Sequence, residues 1–376
     1  YSAVPTNGDG DFDFARSTSA TRVNKNGLIE EVAVNVPRLD YSDGGCPSLL
    51  LEPASTNLLP YSTLAFNGGA SPTGYSIGFG TGTFSHEELT YKGQGAVKQT
   101  QITLGRSYLD TGTLTLIANT EYNLKIQFDL NNCLADANDD IILFQGFSNS
   151  PLYQFSDIDS NGVLSVQFNT GVDNTGNIRI GLGCNGNEDG GKVLTWSMPQ
   201  LEQGSYATSY IKTSGSPQTR SADSASGSGN STVINSSEGV LYAEISALAD
   251  DLTFRQISLR NTGDTSNSLL IGYRNNTNTI YSQLTSSGVS QSFISFDVSN
   301  ITEINKVAVL YGINKVELWI NGIKRNSSGL ATNPIGLNEL NFYGATSSAA
   351  FYGKIKDIRV YTTALTDAEL TTLTTI

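Results

Sequence analysis

Between Tyr122 and Leu130 every second residue is apolar. Tyr122, Leu124, Ile126, Phe128 and Leu130 share one phase, and Asn123, Lys125, Gln127 and Asp129 share the other. A period of two is that of an extended strand with one face buried, and the helical period of 3.6 residues does not produce it. The same phase recurs in Leu164/Val166/Phe168, in Ile178/Ile180/Leu182 and in Leu194/Trp196/Met198, which assigns Trp196 to a core. Turn residues such as Asn161-Gly162 and Gly186–Gly191 separate these runs. Short alternating strands joined by Gly, Asn and Asp turns predict a β-sandwich.

Composition points the same way. Only 15% of the 376 residues are charged, one is Met, and 38 are Gly, a mix that suits many short strands and turns rather than long helices. The length corresponds to about two to three domains, each able to bury a core. A net charge of −13 with no Lys/Arg-rich run sets nucleic-acid binding aside, because a polyphosphate would be repelled. No apolar run approaches the ~18 residues of a membrane span, so no membrane insertion is expected. No secretory signal opens the chain, and a first residue Tyr1 suggests a trimmed piece of a longer protein. Cys46, Cys133 and Cys184 are odd in number and lack C-x-x-C spacing, which predicts three reduced, half-buried thiols.

Two distant segments carry long motifs. The first is Asp11–Tyr41, DFDFARSTSATRVNKNGLIEEVAVNVPRLDY, followed by Leu49–Asn57, LLLEPASTN. The second is Gln200–Asp223, QLEQGSYATSYIKTSGSPQTRSAD. Together they resemble the entry and exit segments of a carbohydrate-binding-module-like jelly roll in bacteriophage head-spike and tail-fibre proteins. The resemblance spans roughly Asp11 to Asp223. It implies a virion surface protein assembled in a bacterial cytoplasm, usually a homotrimer, and it names no ligand.

The linear order suggests four parts. Residues 1–56 read as an N-terminal β strap, with Asn26-Gly27 as a hairpin turn, packing on the following domain or on a neighbouring subunit. Residues 57–213 read as the jelly roll. Residues 214–238, rich in Ser and Gly, read as a flexible linker unless a partner surface ties them down. Residues 239–376 form a second β-domain. There VELWING (316–322) and FYGKIKDIRVYTTALTDAEL (351–370) resemble laminin-G-like or concanavalin-A-like lectin domains, in which a closing strand runs into a short helix. Thr366 with Glu369 three residues on is a capping-box spacing, so a helix is expected from about Asp367. The expected fold is therefore all-β, two sandwiches with a short C-terminal helix.

The chemistry expected is binding, with no catalytic residues. The lone histidine, His86, has no Ser or Cys pattern beside it and reads as a strand-edge residue. Glu30-Glu31 and Glu87-Glu88 are adjacent, so on a strand they face opposite ways, and no E-x-D-x-E run occurs. Calcium is the cofactor to consider, with oxygen donors in Asp9-Gly-Asp11, Asp136–Asp140 and Asn187–Asp189, none of them in EF-hand spacing. Solvated acidic turns are the simpler reading of all three. Sugar recognition rests on an aromatic platform flanked by hydrogen-bonding side chains. Trp319 is out of phase with Val316, Leu318 and Ile320 and shares its face with Glu317 and Asn321. Trp319 and Asn321 are thus candidates for a platform or a subunit contact, unless the strand is buried on both sides, and Tyr343 is a further candidate. The function expected is a phage fibre or spike that binds host or environmental polysaccharide and contacts other virion proteins. The alternatives are a purely structural virion decoration and the binding arm of a depolymerase.

Overall fold

The computed structural model describes residues 12–78, 82–312, 314–329, 332–344 and 349–376. The described chain is nearly all β, in two compact units, one drawn from residues 12–25, 32–53 and 221–376 and the other from residues 26–31 and 54–220.

The second of these units is a jelly roll. Its eight principal strands are Gln94–Gln101, Leu109–Asp110, Glu121–Phe128, Asp140–Gln145, Leu152–Gln154, Val163–Asn169, Thr175–Ile180 and Lys192–Gln203. One sheet takes the sixth, third, eighth and first of them in that order, and the other takes the fifth, fourth, seventh and second. This strand exchange between two antiparallel sheets is the jelly-roll topology. The alternating runs face each other in one core, where Leu124, Ile126, Phe128, Leu164, Ile178, Ile180 and Trp196 are fully buried. Trp196 is a core residue, as its phase predicts, and its Nε1 donates to Gln99 Oε1 at 3.2 Å.

The other unit is a second antiparallel sandwich. Its seven-stranded sheet runs Ile323–Gly329, Lys315–Ile320, Asn305–Gly312, Gly239–Ala247, Gly353–Tyr361, Ser48–Leu51 and Arg38–Asp40. Its five-stranded sheet runs Val289–Asp297, Thr279–Ser286, Asp264–Tyr273, Arg255–Asn261 and Glu339–Asn341. Leu241, Ile257, Leu259, Leu269, Ile271, Ile280, Leu284, Val309 and Leu318 fill the space between the sheets. The helix Asp367–Thr374 starts where the capping box predicts, with Thr366 and Glu369 exchanging hydrogen bonds.

Two expectations from linear order are corrected. The strap is not a separate segment. Ser48–Leu51 pairs with Gly353–Tyr361, and Arg38–Asp40 pairs with Ser48–Leu51, so both complete the edge of the seven-stranded sheet. Leu49 and Leu51 thereby join the core of a domain that begins almost two hundred residues later. Asn26-Gly27 does lie in the turn between the strands Ala20–Val23 and Ile29–Val32, but the connection is longer than two residues, running over 24–28, and only Gly27 takes positive φ, 75°.

Residues 214–238 are tied down by their own chain. Gln218–Arg220 pairs with Ser55–Asn57, and Ser224–Ser226 pairs with Asp13–Ala15. Ala225 and Ile234 are buried, which gives this Ser/Gly-rich stretch the anchors that composition alone does not reveal.

Candidate functional site

In the five-stranded sheet, the residues opposite in phase to the core face away from the sandwich. Across the strands the register aligns Gln256, Gly272, Tyr281 and Ser295 in one row, and Ser258, Leu270, Gln283 and Phe293 in the next. This outer face forms an open cleft of about 940 Å³, lined among others by Phe254, Gln256, Arg274, Tyr281, Gln283 and Phe293.

The floor is Tyr281, only 1% exposed. Gly272 stands between Tyr281 and Gln256, where a Cβ would approach the Tyr281 ring to 3.2 Å and collide with the Arg255 carbonyl. With no side chain in that place, the Gln256 amide reaches across to donate to the Tyr281 hydroxyl. Burial raises the Tyr281 phenol above its ordinary pKa, against the opposing pull of the Gln256 hydrogen bond, so it stays a neutral donor and acceptor. Phe254 and Phe293 flank it, with ring centroids 5.9 Å and 5.5 Å from that of Tyr281. They are 39% and 46% exposed, large apolar rings left open to solvent on a sheet face.

The lining groups include amides and hydroxyls from Gln256, Ser268, Gln283 and Thr285, and two guanidinium groups, Arg255 and Arg274. No Asp or Glu is among them. Hydrolysis of a glycosidic bond uses two carboxyl groups across the scissile bond, and this cleft presents none among the described residues. The arrangement suits binding: aromatic faces for an apolar surface, surrounded by neutral hydrogen-bonding groups and two guanidiniums.

The candidates Trp319, Asn321 and Tyr343 do not line the cleft. Trp319 does lie on the far face of the seven-stranded sheet, as its phase predicts, but it is 4% exposed. The C-terminal helix covers that face, and Trp319 packs with Val240, Tyr242, Leu310 and Leu370. Its Nε1 donates to Glu317 at 3.3 Å and Lys324 Nζ lies 5.1 Å from its ring, so neither face is open for stacking. Asn321 takes φ 52° in a turn with Gly322 at 80°, and its amide bonds Asn305 and the Lys306 N–H. It serves the hairpin. Tyr343 is half-buried beneath the Arg260 guanidinium, 5.0 Å from its ring, while Arg260 pairs with Glu339 at 3.2 Å. Tyr281 and Phe293 escape a reading focused on the two Trp residues. Their signal was nonetheless present, since both stand out of phase with Ile280, Leu284 and Ile294.

The acidic turns in the jelly roll are occupied internally. Lys192 Nζ pairs with Asp139, and lies 3.4 Å from Asp136 and 3.6 Å from Glu188. An ammonium therefore stands among the carboxylates that were candidates for calcium, and no cluster of metal ligands occurs among the described residues. Asp9-Gly-Asp11 lies outside the described residues. His86 sits on the edge strand Phe84–Tyr91, its Nε2 2.7 Å from the Ser107 carbonyl. The cysteines are all free, and they differ in burial: Cys46 is exposed, Cys133 intermediate and Cys184 buried.

Residues 230–371 match the family model of the concanavalin A-like lectin/glucanases superfamily. No curated protein matches the chain. Among solved structures, the CBM40 module of a Ruminococcus gnavus IT-sialidase aligns with TM-score 0.33 and 17% identity, over 39% of this chain and 87% of the module. Domain 4 of the arabinanase AbnA from Geobacillus stearothermophilus, solved with arabinotriose, aligns with TM-score 0.33 and 16% identity, over 41% of this chain and 73% of that domain. Domains LG4-5 of the mouse laminin alpha1 chain align with TM-score 0.24 and 7% identity, over 69% and 86% of the two chains.

Proposed function

We propose that this protein binds carbohydrate through the outer face of its five-stranded sheet, without cleaving it. The observation that carries the proposal is the pair Phe254 and Phe293, exposed on a sheet face over the buried Tyr281 and beside Gln256, Gln283 and Thr285. A pyranose has apolar C–H faces and a rim of hydroxyls, and this cleft offers the complement of both. The family match of residues 230–371 agrees with it.

The setting proposed is the surface of a phage virion, as a fibre or spike that engages host or environmental polysaccharide and contacts other virion proteins. Its support is the motif pair at residues 11–57 and 200–223. A homotrimer would present three such clefts, and three weak sites held together gain avidity by orders of magnitude over one.

The test is binding of the labelled chain to candidate bacteria before and after periodate oxidation of their glycans. Periodate-sensitive binding that Phe293→Ala weakens is the expected result. Absence of binding by the folded chain, with tight association to another virion protein, would replace this reading with a structural decoration. Release of reducing ends from a polysaccharide would replace it with an enzyme.

A further inference from the structure

We infer that the carbohydrate taken by this cleft is acidic, and that Arg274 receives its carboxylate. The inference rests on the proposed use of the cleft for glycan binding and specifies the ligand class. Arg274 directly follows the strand Asp264–Tyr273. The alternation that buries Tyr273 in the core turns Arg274 onto the outer face. Its guanidinium lies 5.1 Å from the Phe293 ring centroid and lines the cleft.

Among the described residues, no carboxylate pairs with this guanidinium and no acceptor engages it. Its Nε is buried without a partner. The neighbouring Arg255 differs in this respect, since Asp251 meets it at 2.7 Å and its guanidinium lies 5.0 Å from the Tyr352 ring. The cleft therefore contains one satisfied cation and one unsatisfied one. The Arg274 Nε is enclosed by protein, so a ligand anion would meet the terminal N–H groups at the cleft, which no carboxylate among the described residues neutralises.

The surroundings favour an anion further. The chain carries a net charge of −13, so an acidic polymer is repelled by the molecule as a whole. No Asp or Glu is among the described residues that line the cleft, and the nearby Asp251 is paired with Arg255. A guanidinium held over an aromatic ring keeps its N–H donors around its rim, where a planar carboxylate can take two of them in parallel. Phe293 thereby has two roles, stacking on the sugar's neighbourhood and holding the cation that reads its charge.

The experiment is a panel of immobilised glycans probed with the full chain. It comprises uronate polymers, sialylated oligosaccharides, sulfated polymers and neutral glycans. Binding confined to carboxylated members is expected. For any glycan bound, chemical reduction of its carboxyl groups to alcohols should weaken binding by about ten- to hundred-fold, the range for losing a charge-assisted hydrogen bond. Arg274→Gln should remove the difference between the native and reduced glycan, and Phe293→Ala should weaken both. Equal binding of native and reduced forms overturns the inference and leaves the glycan-binding reading standing. Equal binding of sulfated and carboxylated polymers overturns the assignment of a carboxylate. No binding to any member, with the native circular dichroism of the chain confirmed, overturns both readings. The ligand-side comparison uses the unaltered protein, so it holds even if Arg274→Gln fails to fold.

Discussion

Arg38 and Asp223 stand 185 residues apart in the sequence and meet as a fully buried ion pair. Asp223 also pairs with Arg16 at 3.1 Å and accepts from the Glu52 N–H at 2.8 Å, while Glu52 pairs with Arg38 at 2.6 Å. Burial by itself would lower the Arg38 pKa. The charges and hydrogen bonds of Glu52 and Asp223 outweigh it and raise the pKa above its ordinary value, so the guanidinium stays charged. The two long motifs thus meet at an internal electrostatic network, which explains why they contain these charges. Asp223→Ala would leave two buried guanidiniums short of a partner. It is expected to destabilise the C-terminal sandwich by about 3–5 kcal/mol, the cost of breaking a buried pair from one side, measured by urea denaturation.

Trp319 and Phe293 should separate stability from binding. Trp319→Ala empties a buried site beneath the C-terminal helix and should cost about 3–5 kcal/mol with glycan affinity unchanged in the folded fraction. Phe293→Ala removes a half-exposed ring and should leave the melting temperature nearly unaltered. It should weaken glycan binding by about three- to ten-fold, the range of one aromatic contact. Calorimetric unfolding and affinity electrophoresis of the two variants check the contrast.

The helix cap predicts an acid-sensitive C-terminus. Glu369 accepts from Thr366 N at 2.8 Å and Oγ1 at 2.7 Å, and these bonds hold its carboxyl below its ordinary pKa. A depressed carboxylate stabilises the fold above its unfolded pKa, and that contribution is lost as pH falls through the folded value. Amide protection factors in Leu370–Thr374, corrected for the intrinsic exchange rate at each pH, should therefore fall on acidification below about pH 4. Thr366→Ala should cost about 1 kcal/mol at neutral pH.

His86 supplies the opposite charge type with the same direction in pH. Burial lowers the imidazole pKa, against the raising effect of the hydrogen bond to the Ser107 carbonyl. The unfolded chain then takes up a proton at a higher pH than the folded one, so jelly-roll stability falls as pH drops below about 6.5. As the chain has a single His, one pair of imidazole resonances should titrate below that value in the native protein and near it in urea.

The alternation in Tyr122–Leu130 and its repeats is a local property, because a strand's two faces are set by consecutive residues. The all-β class, the core position of Trp196 and the cap at Thr366 were therefore legible without coordinates. So was the side of the sheet on which Trp319 lies. What covers that side was not legible, because Leu370 reaches Trp319 only when the chain's last helix docks on the sheet. The cleft is likewise a tertiary product. Tyr281 and Phe293 become neighbours through strand register, as do Gln256 and Tyr281 across Gly272, and Phe254 joins them from just before the strand Arg255–Asn261. The strap's place in the C-terminal sheet follows the same rule. The sequence by itself determined which residues alternate, turn and cap, since those preferences act within a few bonds. The tertiary structure alone decided which aromatic rings are open and which charges are paired, because burial and Coulomb energy depend on neighbours brought together by the fold.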